Sequence, residues 1–328
     1  MRLSSIISDN MVIQAEKPFR IFGYGKGKIS LSLCEAVYRA EFEEDEWVWE
    51  LPKQKYGGPY DIMLDLDGEE KVIKNVAFGD VLLLAGQSNI EFKISDERNT
   101  SYTPCDERIR FFSSCMMAVD TADTVREWHI CREGEVGAWS AIGLHAAVDY
   151  RKKKDVFVGL VGCFRGTSAI RSWLPQRTLD EKVFIPLELR HKDYLTPSGV
   201  NKDSYLYERS FLPISKFNFS CVIWYQGESD TTVEESRVYT ELLRRLIVAW
   251  REDLCDEKLK FIVIEICDFD PRDDDGWHMI QKCQRDIVNV ISGVSVVTSK
   301  DVCEHTAIHP ANKEKLAQKI AKALLSDF

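Results

Sequence analysis

The sequence predicts an α/β fold: a three-layer α/β/α domain on a mostly parallel sheet over residues 77–328, preceded by a small N-terminal β-sandwich over residues 1–76. Three observations predict it. Up to residue 76, short runs alternate apolar and polar residues between glycine-rich turns. From Phe78 onward, apolar runs of strand length alternate with segments of helical periodicity. The residues that follow several of those runs are the types that chemistry needs, and in open parallel sheets ligands bind beyond the carboxyl ends of the strands.

In the first unit the alternating runs are Arg20-Ile21-Phe22, Ile29-Ser30-Leu31-Ser32-Leu33, Trp47-Val48-Trp49-Glu50-Leu51 and Tyr60-Asp61-Ile62-Met63-Leu64, with residues 71–76 as the last strand. Alternation of this kind buries one face of a strand and leaves the other to solvent. Gly23, Gly25 and Gly27, then Gly57-Gly58-Pro59, then Asp67-Gly68 supply the turns. Short strands punctuated in this way predict a sandwich. In the second unit, strands are expected at residues 81–85, 156–161, 221–225, 261–266 and 294–298, with a weaker one at 109–112. Val81-Leu82-Leu83-Leu84 is apolar throughout, as a strand buried on both faces must be. Helices are expected at about 141–152, 235–251, 277–291 and 311–324, the last with Leu316, Ile320 and Leu324 on one face. Residues 268–275 hold five aspartates and read as a solvated loop, without the glutamate spacing of a calcium loop.

Composition narrows the function. The 328 residues are 45% hydrophobic and 29% charged, an ordinary globular balance. The net charge of -10 argues against nucleic acid and anionic membranes as partners, both of which call for a basic face. No apolar run reaches the ~18 residues of a membrane helix, and the first ten residues lack the apolar core of a signal peptide. A cytoplasmic chain is therefore expected, with a removed leader as the alternative. The ten cysteines include no C-x-x-C pair, so they are expected reduced, several as small core residues, and no metal or other cofactor is expected. His129 and Cys131 alone do not make a metal site.

The chemistry lies at the strand ends. Gly86-Gln87-Ser88-Asn89 follows the strand at 81–85, and Gly162-Cys163-Phe164-Arg165-Gly166-Thr167 follows 156–161. Gln226-Gly227-Glu228-Ser229-Asp230 follows 221–225, and the loop after 294–298 ends in His309-Pro310 before the last helix. A serine held at a strand end is fixed, reachable and flanked by backbone N–H groups that the sheet does not use. Acyl transfer needs a nucleophile, a base, oxyanion donors and an acid to orient the base, and the set is present.

Three of these blocks, Gly86-Gln87-Ser88-Asn89, Trp224-Tyr225-Gln226-Gly227-Glu228-Ser229-Asp230 and Ile308-His309-Pro310-Ala311-Asn312-Lys313, resemble the sialate O-acetylesterase family of SGNH-type carbohydrate esterases. Phe78-Gly79-Asp80-Val81, Ser140-Ala141-Ile142-Gly143, Gly166-Thr167, Ser172-Trp173 and the segment from Ser8 to Gln14 resemble further family blocks, in the family's order. Longer members carry more sequence between the second and third blocks, so the chain looks like a compact version. The resemblance implies an SGNH-type catalytic domain that removes O-acetyl groups from sugars through an acetyl-enzyme. An acetylated carbohydrate would be the partner, with either O-acetylated sialic acid or an acetylated plant-type glycan as substrate. It implies Ser88 as nucleophile and His309 as general base. The oxyanion hole would hold the Ser88 and Gly166 N–H groups and the Gln226 side chain, each donor typically worth about 3 kcal/mol of barrier.

The chain departs from the pattern twice. SGNH enzymes usually carry an aspartate three residues before the histidine, where this chain has Thr306. The orienting group would then be Glu228, Glu304, Asp301 or a backbone carbonyl. Arg165 stands where family members tend to have glycine; it would either bind a substrate carboxylate or form a surface salt bridge. His305 is a nearby decoy for the base. Trp173 and Tyr225 are candidates to stack on a sugar ring, although Tyr225 ends a buried strand and reads as core. The rival readings are a carbohydrate-binding protein with a decayed site and an esterase or thioesterase for non-sugar acyl groups. Oligomeric state is left open.

Overall fold

The computed structural model of the chain describes residues 1–98, 100, 103–117, 126–192, 199–272 and 274–326; Asp273 of the aspartate-rich stretch lies outside the described residues. The chain begins with β1 (Arg2–Leu3), β2 (Val12–Gln14), β3 (Phe19–Tyr24), β4 (Gly27–Leu33), β5 (Ala36–Phe42), β6 (Glu46–Leu51) and β7 (Gly57–Leu66), and then runs into one long strand, β8 (Glu69–Gly86). Strands β1, β3 and β6 form an antiparallel sheet. Strands β5, β4, β7 and the first half of β8 form a second antiparallel ladder. The alternation in sequence becomes burial: Ile29, Leu31 and Leu33 of β4 and Ile62, Leu64 and Leu66 of β7 point inward. β5 sets Tyr38, Ala40 and Phe42, half-buried, against the core, with exposed Arg39 and Glu41 between them; it is a strand that the sequence analysis does not single out.

β8 passes straight through the expected boundary at residues 76 and 77. The boundary separates two patterns of burial on one extended backbone. In β8 up to Asn75, which bends the strand at φ +56°, only Ile73 is buried, and every residue from Val76 to Gly86 is buried. The sequence change at this point marks a strand that acquires cover on its second face, with no break in the strand.

The chain continues through α1 (Ser88–Glu91), β9 (Ile109–Ser113), β10 (His129–Ile130), α2 (Ala141–Arg151), β11 (Val158–Phe164), β12 (Cys221–Tyr225), α3 (Val233–Asp253), β13 (Lys260–Ile264), α4 (Asp275–Asp286), β14 (Val294–Val297) and α5 (Glu314–Leu324). The strand order is β10-β9-β11-β8-β12-β13-β14. The pairs β9–β11, β11–β8, β8–β12, β12–β13 and β13–β14 are parallel, and β10–β9 is antiparallel. With the antiparallel N-terminal strands attached to β8, this is a mixed sheet-and-helix α/β fold. After β8 the chain builds β9 and β11 on one side and then crosses to β12 on the other. The carboxyl end of β8 is therefore the point where strand order reverses, the place such sheets leave a crevice.

Helix limits follow the hydrogen bonds available. α3 starts at Val233, earlier than its apolar period suggests, because Thr232 and Glu235 close a capping box, a feature worth about 1 kcal/mol. α5 starts at Glu314, later than expected. The Ala311 N–H is used by the Glu304 carboxylate (2.9 Å) and the Ala311 carbonyl by the Arg98 N–H (3.1 Å), so neither is free to join a helix.

Candidate active site

Ser88 is placed by a glycine that nothing else can replace. Gly86 ends β8 at φ +133°, and a Cβ there would lie 2.1 Å from the Tyr225 carbonyl oxygen. That close approach lets the Gln87 N–H reach the same oxygen at 3.0 Å. The Gln87 side chain then clamps the turn after β12, its Oε1 accepting from the N–H groups of Gly227 (3.2 Å) and Ser229 (3.4 Å). Ser88 opens α1, whose first backbone bonds come from Ile90 and Glu91 to the Gln87 carbonyl. The Ser88 and Asn89 N–H groups precede those bonds, as the first donors of any helix do.

His309 Nε2 lies 2.7 Å from Ser88 Oγ, although the two residues are 221 positions apart. Its ring packs beside Phe92, with centroids 6.3 Å apart. Burial, and then the Lys313 ammonium four residues further along, lower the His309 pKa below its ordinary value. Both favour the neutral imidazole, the form that accepts a proton. Among the described residues Ser88 is the only hydrogen-bond partner of His309.

Among the described residues none of the expected carboxylates bonds to the His309 ring: Glu228 and Glu304 are engaged elsewhere, and Asp301 is exposed. The Glu228 carboxylate accepts from Asn89 Nδ2 at 2.6 Å, and its other oxygen is buried without a hydrogen bond. Burial pushes its pKa up. Glu304 holds the Ala311 N–H, on the far side of His309-Pro310. His305 sits 3.9 Å from Asp268. In place of an acid, Asn89 joins the two halves of the site. Its Nδ2 also donates to the Ile308 carbonyl (2.9 Å), and its Oδ1 accepts from Lys313 Nζ (2.7 Å). Lys313 is wholly buried, with Phe92 covering the ammonium at 4.7 Å. Burial lowers its pKa. Asn89 and Lys313 both stand in the blocks that carry the family resemblance. Neither has a type or spacing that marks a buried polar bridge, since a lysine at a helix start is ordinarily a surface residue.

The oxyanion side differs from expectation as well. Gly166 does lie against Ser88, for a Cβ on it would sit 3.7 Å from the Ser88 Cβ. Its N–H, however, donates to the Glu91 carboxylate at 2.6 Å. Gln226 is wholly buried and fully engaged: Nε2 donates to the Ser168 carbonyl (3.0 Å) and Asp230 (2.5 Å), and Oε1 accepts from the Tyr239 hydroxyl (3.0 Å). It holds the strand-end block together, and none of these bonds is to Ser88. Trp173 is likewise a core residue. It is 0% exposed, bonded to Ser168 and packed edge-on against Trp224 and Trp250, so no sugar can reach its face. Tyr225 is buried as its strand position implies. Arg165 is exposed, with its N–H on the Gly86 carbonyl (3.0 Å) and, among the described residues, no ion-pair partner for its guanidinium. The surface salt bridge is not formed there. Glu91 is the residue that pattern reading misses: three positions past a serine it looks like ordinary first-turn acid on a helix.

Residues 78–326 match the family described as carbohydrate esterase, sialic acid-specific acetylesterase. The sialate O-acetylesterase of Mus musculus is 26% identical over 303 residues, covering 76% of this chain and 56% of that protein. The human sialate O-acetylesterase is 25% identical over 280 residues, covering 76% and 53%. The chain thus spans about half the length of the curated relatives it matches. The crystal structure of a carbohydrate acetylesterase from Xanthomonas citri superposes with a TM-score of 0.86 at 24% identity, covering 98% of this chain and 74% of that one, and shows the same fold. With the family match extending over the Ser88 turn, the strand-end blocks and the His309 loop, the chain belongs to the sialic acid-specific acetylesterase family of carbohydrate esterases.

Proposed function

We propose that the chain is a serine carbohydrate esterase that removes O-acetyl groups from sugars, with O-acetylated sialic acid as the first candidate substrate. The observation that carries the reading is the 2.7 Å contact between His309 Nε2 and Ser88 Oγ at the carboxyl end of β8. Ser88 Oγ attacks the acetyl carbonyl while its proton passes to His309. The oxyanion forms beside the Ser88 N–H and the Gly166 turn. Collapse breaks the ester bond, and His309 returns the proton to the departing sugar hydroxyl. Water then loses a proton to His309, attacks the acetyl-Ser88 carbonyl and releases acetate and the free serine. Arg165, a cation beside this turn with no ion-pair partner among the described residues, meets the carboxylate of an anionic sugar. In this reading residues 77–328 form the SGNH-type three-layer catalytic unit, and residues 1–76 a β-sandwich that braces it through β8.

Acetate release by the wild type and Ser88→Ala tests it on an aryl acetate, an O-acetylated sialic acid and an acetylated xylo-oligosaccharide. Release by the wild type and loss in Ser88→Ala is the expected result, and the preferred sugar names the substrate. A wild type inert on all three substrates overturns the reading and leaves a binding protein in its place.

A further inference from the structure

We propose that Asn89 is the positioning residue of this site. It ties the nucleophile turn to the histidine loop through the backbone carbonyl next to the base, and Glu228 and Lys313 act through it.

A side-chain amide has two N–H donors and one carbonyl acceptor. Both donors of Asn89 are used, on the Ile308 carbonyl and the Glu228 carboxylate, and the acceptor takes the Lys313 ammonium. The residue is 1% exposed, so these bonds have no competition from water. Asn89 is covalently next to Ser88, and Ile308 next to His309. One hydrogen bond of 2.9 Å thus fixes the peptide unit that carries the base against the turn that carries the nucleophile. Glu228 holds the second N–H and Lys313 the oxygen, which prevents the amide from flipping and presenting its carbonyl to Ile308. The buried Glu228 oxygen without a partner does not contact His309, and among the described residues no carboxylate hydrogen-bonds to that imidazole.

This arrangement separates two roles for Glu228 that a sequence cannot distinguish. As an orienting acid it would need its charge; as an anchor for Asn89 it needs only an acceptor oxygen. Glu228→Gln keeps the acceptor. It is expected to cost less than about 10-fold in kcat, whereas an amide in place of a true orienting acid costs about 10⁴-fold. Asn89→Ala removes the strap and is expected to lower kcat by about 10²-fold, the scale of an ångström-level misplacement, with KM nearly unchanged. Asn89→Asp is the control for shape. It preserves volume and the acceptor for Lys313, loses both donations, and is expected to behave like Asn89→Ala.

The activity assays rest on the esterase reading, so a second readout is independent of it: the rate at which a fluorophosphonate labels Ser88, which needs only the nucleophile and its base. Slow labelling in both Asn89 variants with near wild-type labelling in Glu228→Gln supports the inference, whether or not the protein releases acetate. Wild-type labelling in the Asn89 variants, a loss in Glu228→Gln of 10³-fold or more, or no labelling of the wild type at all overturns it. A labelled wild type that releases no acetate overturns only the esterase reading.

Discussion

The Glu91 carboxylate accepts a hydrogen bond from the Gly166 N–H at 2.6 Å, at the position where a second oxyanion donor would be sought. A fixed negative charge beside a developing oxyanion opposes it, and in a partly desolvated site that opposition is larger than in water. In the proposed mechanism the Glu91 side chain leaves the Gly166 N–H as the ester enters. Removing its charge relieves the conflict while keeping an acceptor for the turn. Glu91→Gln is expected to raise kcat several-fold on an aryl acetate, read by acetate release at saturating substrate. A lower rate in the variant would mean that the carboxylate assists the reaction.

The base is tuned by its surroundings. Burial and Lys313 both lower the His309 pKa, and the proposed mechanism needs the neutral imidazole. Activity should rise with pH along a limb set by His309 and lying below the ordinary value of about 6.5. Lys313→Met removes the neighbouring positive charge, so protonated His309 becomes easier to form and the limb moves to higher pH. The pH dependence of kcat/KM for the two proteins measures the shift; an unmoved limb would show that Lys313 acts on Asn89 alone.

Asp230 sits wholly buried beneath the site, accepting from the Ile170 N–H (2.9 Å) and from Gln226. Burial, and then the charge of Glu235, push its pKa up to about 8. A carboxyl raised on folding contributes stability that is fully present below its ordinary unfolded value of about 3.9 and is lost as pH rises through the folded value. The wild type should therefore lose stability between about pH 4 and pH 8 relative to Asp230→Asn. Urea unfolding of both proteins at the two ends of that window tests this. Equal slopes would mean that the carboxylate is compensated in the fold.

Arg165 and Trp173 separate binding from packing. With its guanidinium free of carboxylate partners among the described residues, Arg165 is available to an anionic sugar. Arg165→Ala is expected to raise KM for an O-acetylated sialic acid by about 10-fold or more relative to KM for a neutral aryl acetate, the scale of one charge-assisted hydrogen bond. Trp173 lies in an aromatic cluster with Trp224 and Trp250. Trp173→Ala should instead cost about 3–5 kcal/mol of stability, seen as a lower urea midpoint. A KM effect without loss of stability would restore Trp173 to the sugar site.

The alternation of Ile29, Leu31 and Leu33 and the unbroken apolar run from Val81 to Leu84 were enough to read a half-covered and a fully covered strand, because the burial period is written directly in side-chain polarity. The same run hid the continuity of β8, since pattern reports which faces are covered and not whether the backbone breaks. Ser88 and His309 were legible because a reactive residue after a buried strand, or ahead of a helix, stands out by type. Gln226, Glu228 and Trp173 were legible as members of the strand-end blocks, but their directions were not.

The sequence by itself determined the order of the main strands and helices, the polar blocks at their ends and, through those blocks, the family. Only the tertiary structure decided which way each side chain of a block turns. It buried Gln226 and Trp173 as supports, took Glu228 and Lys313 to Asn89, and put Glu91 on the Gly166 N–H. The physical reason is that an amide, a carboxylate or an ammonium at a strand end has several partners of similar chemistry within reach. Which of them it takes depends on contacts between residues 139 and 224 positions apart, which no local pattern encodes.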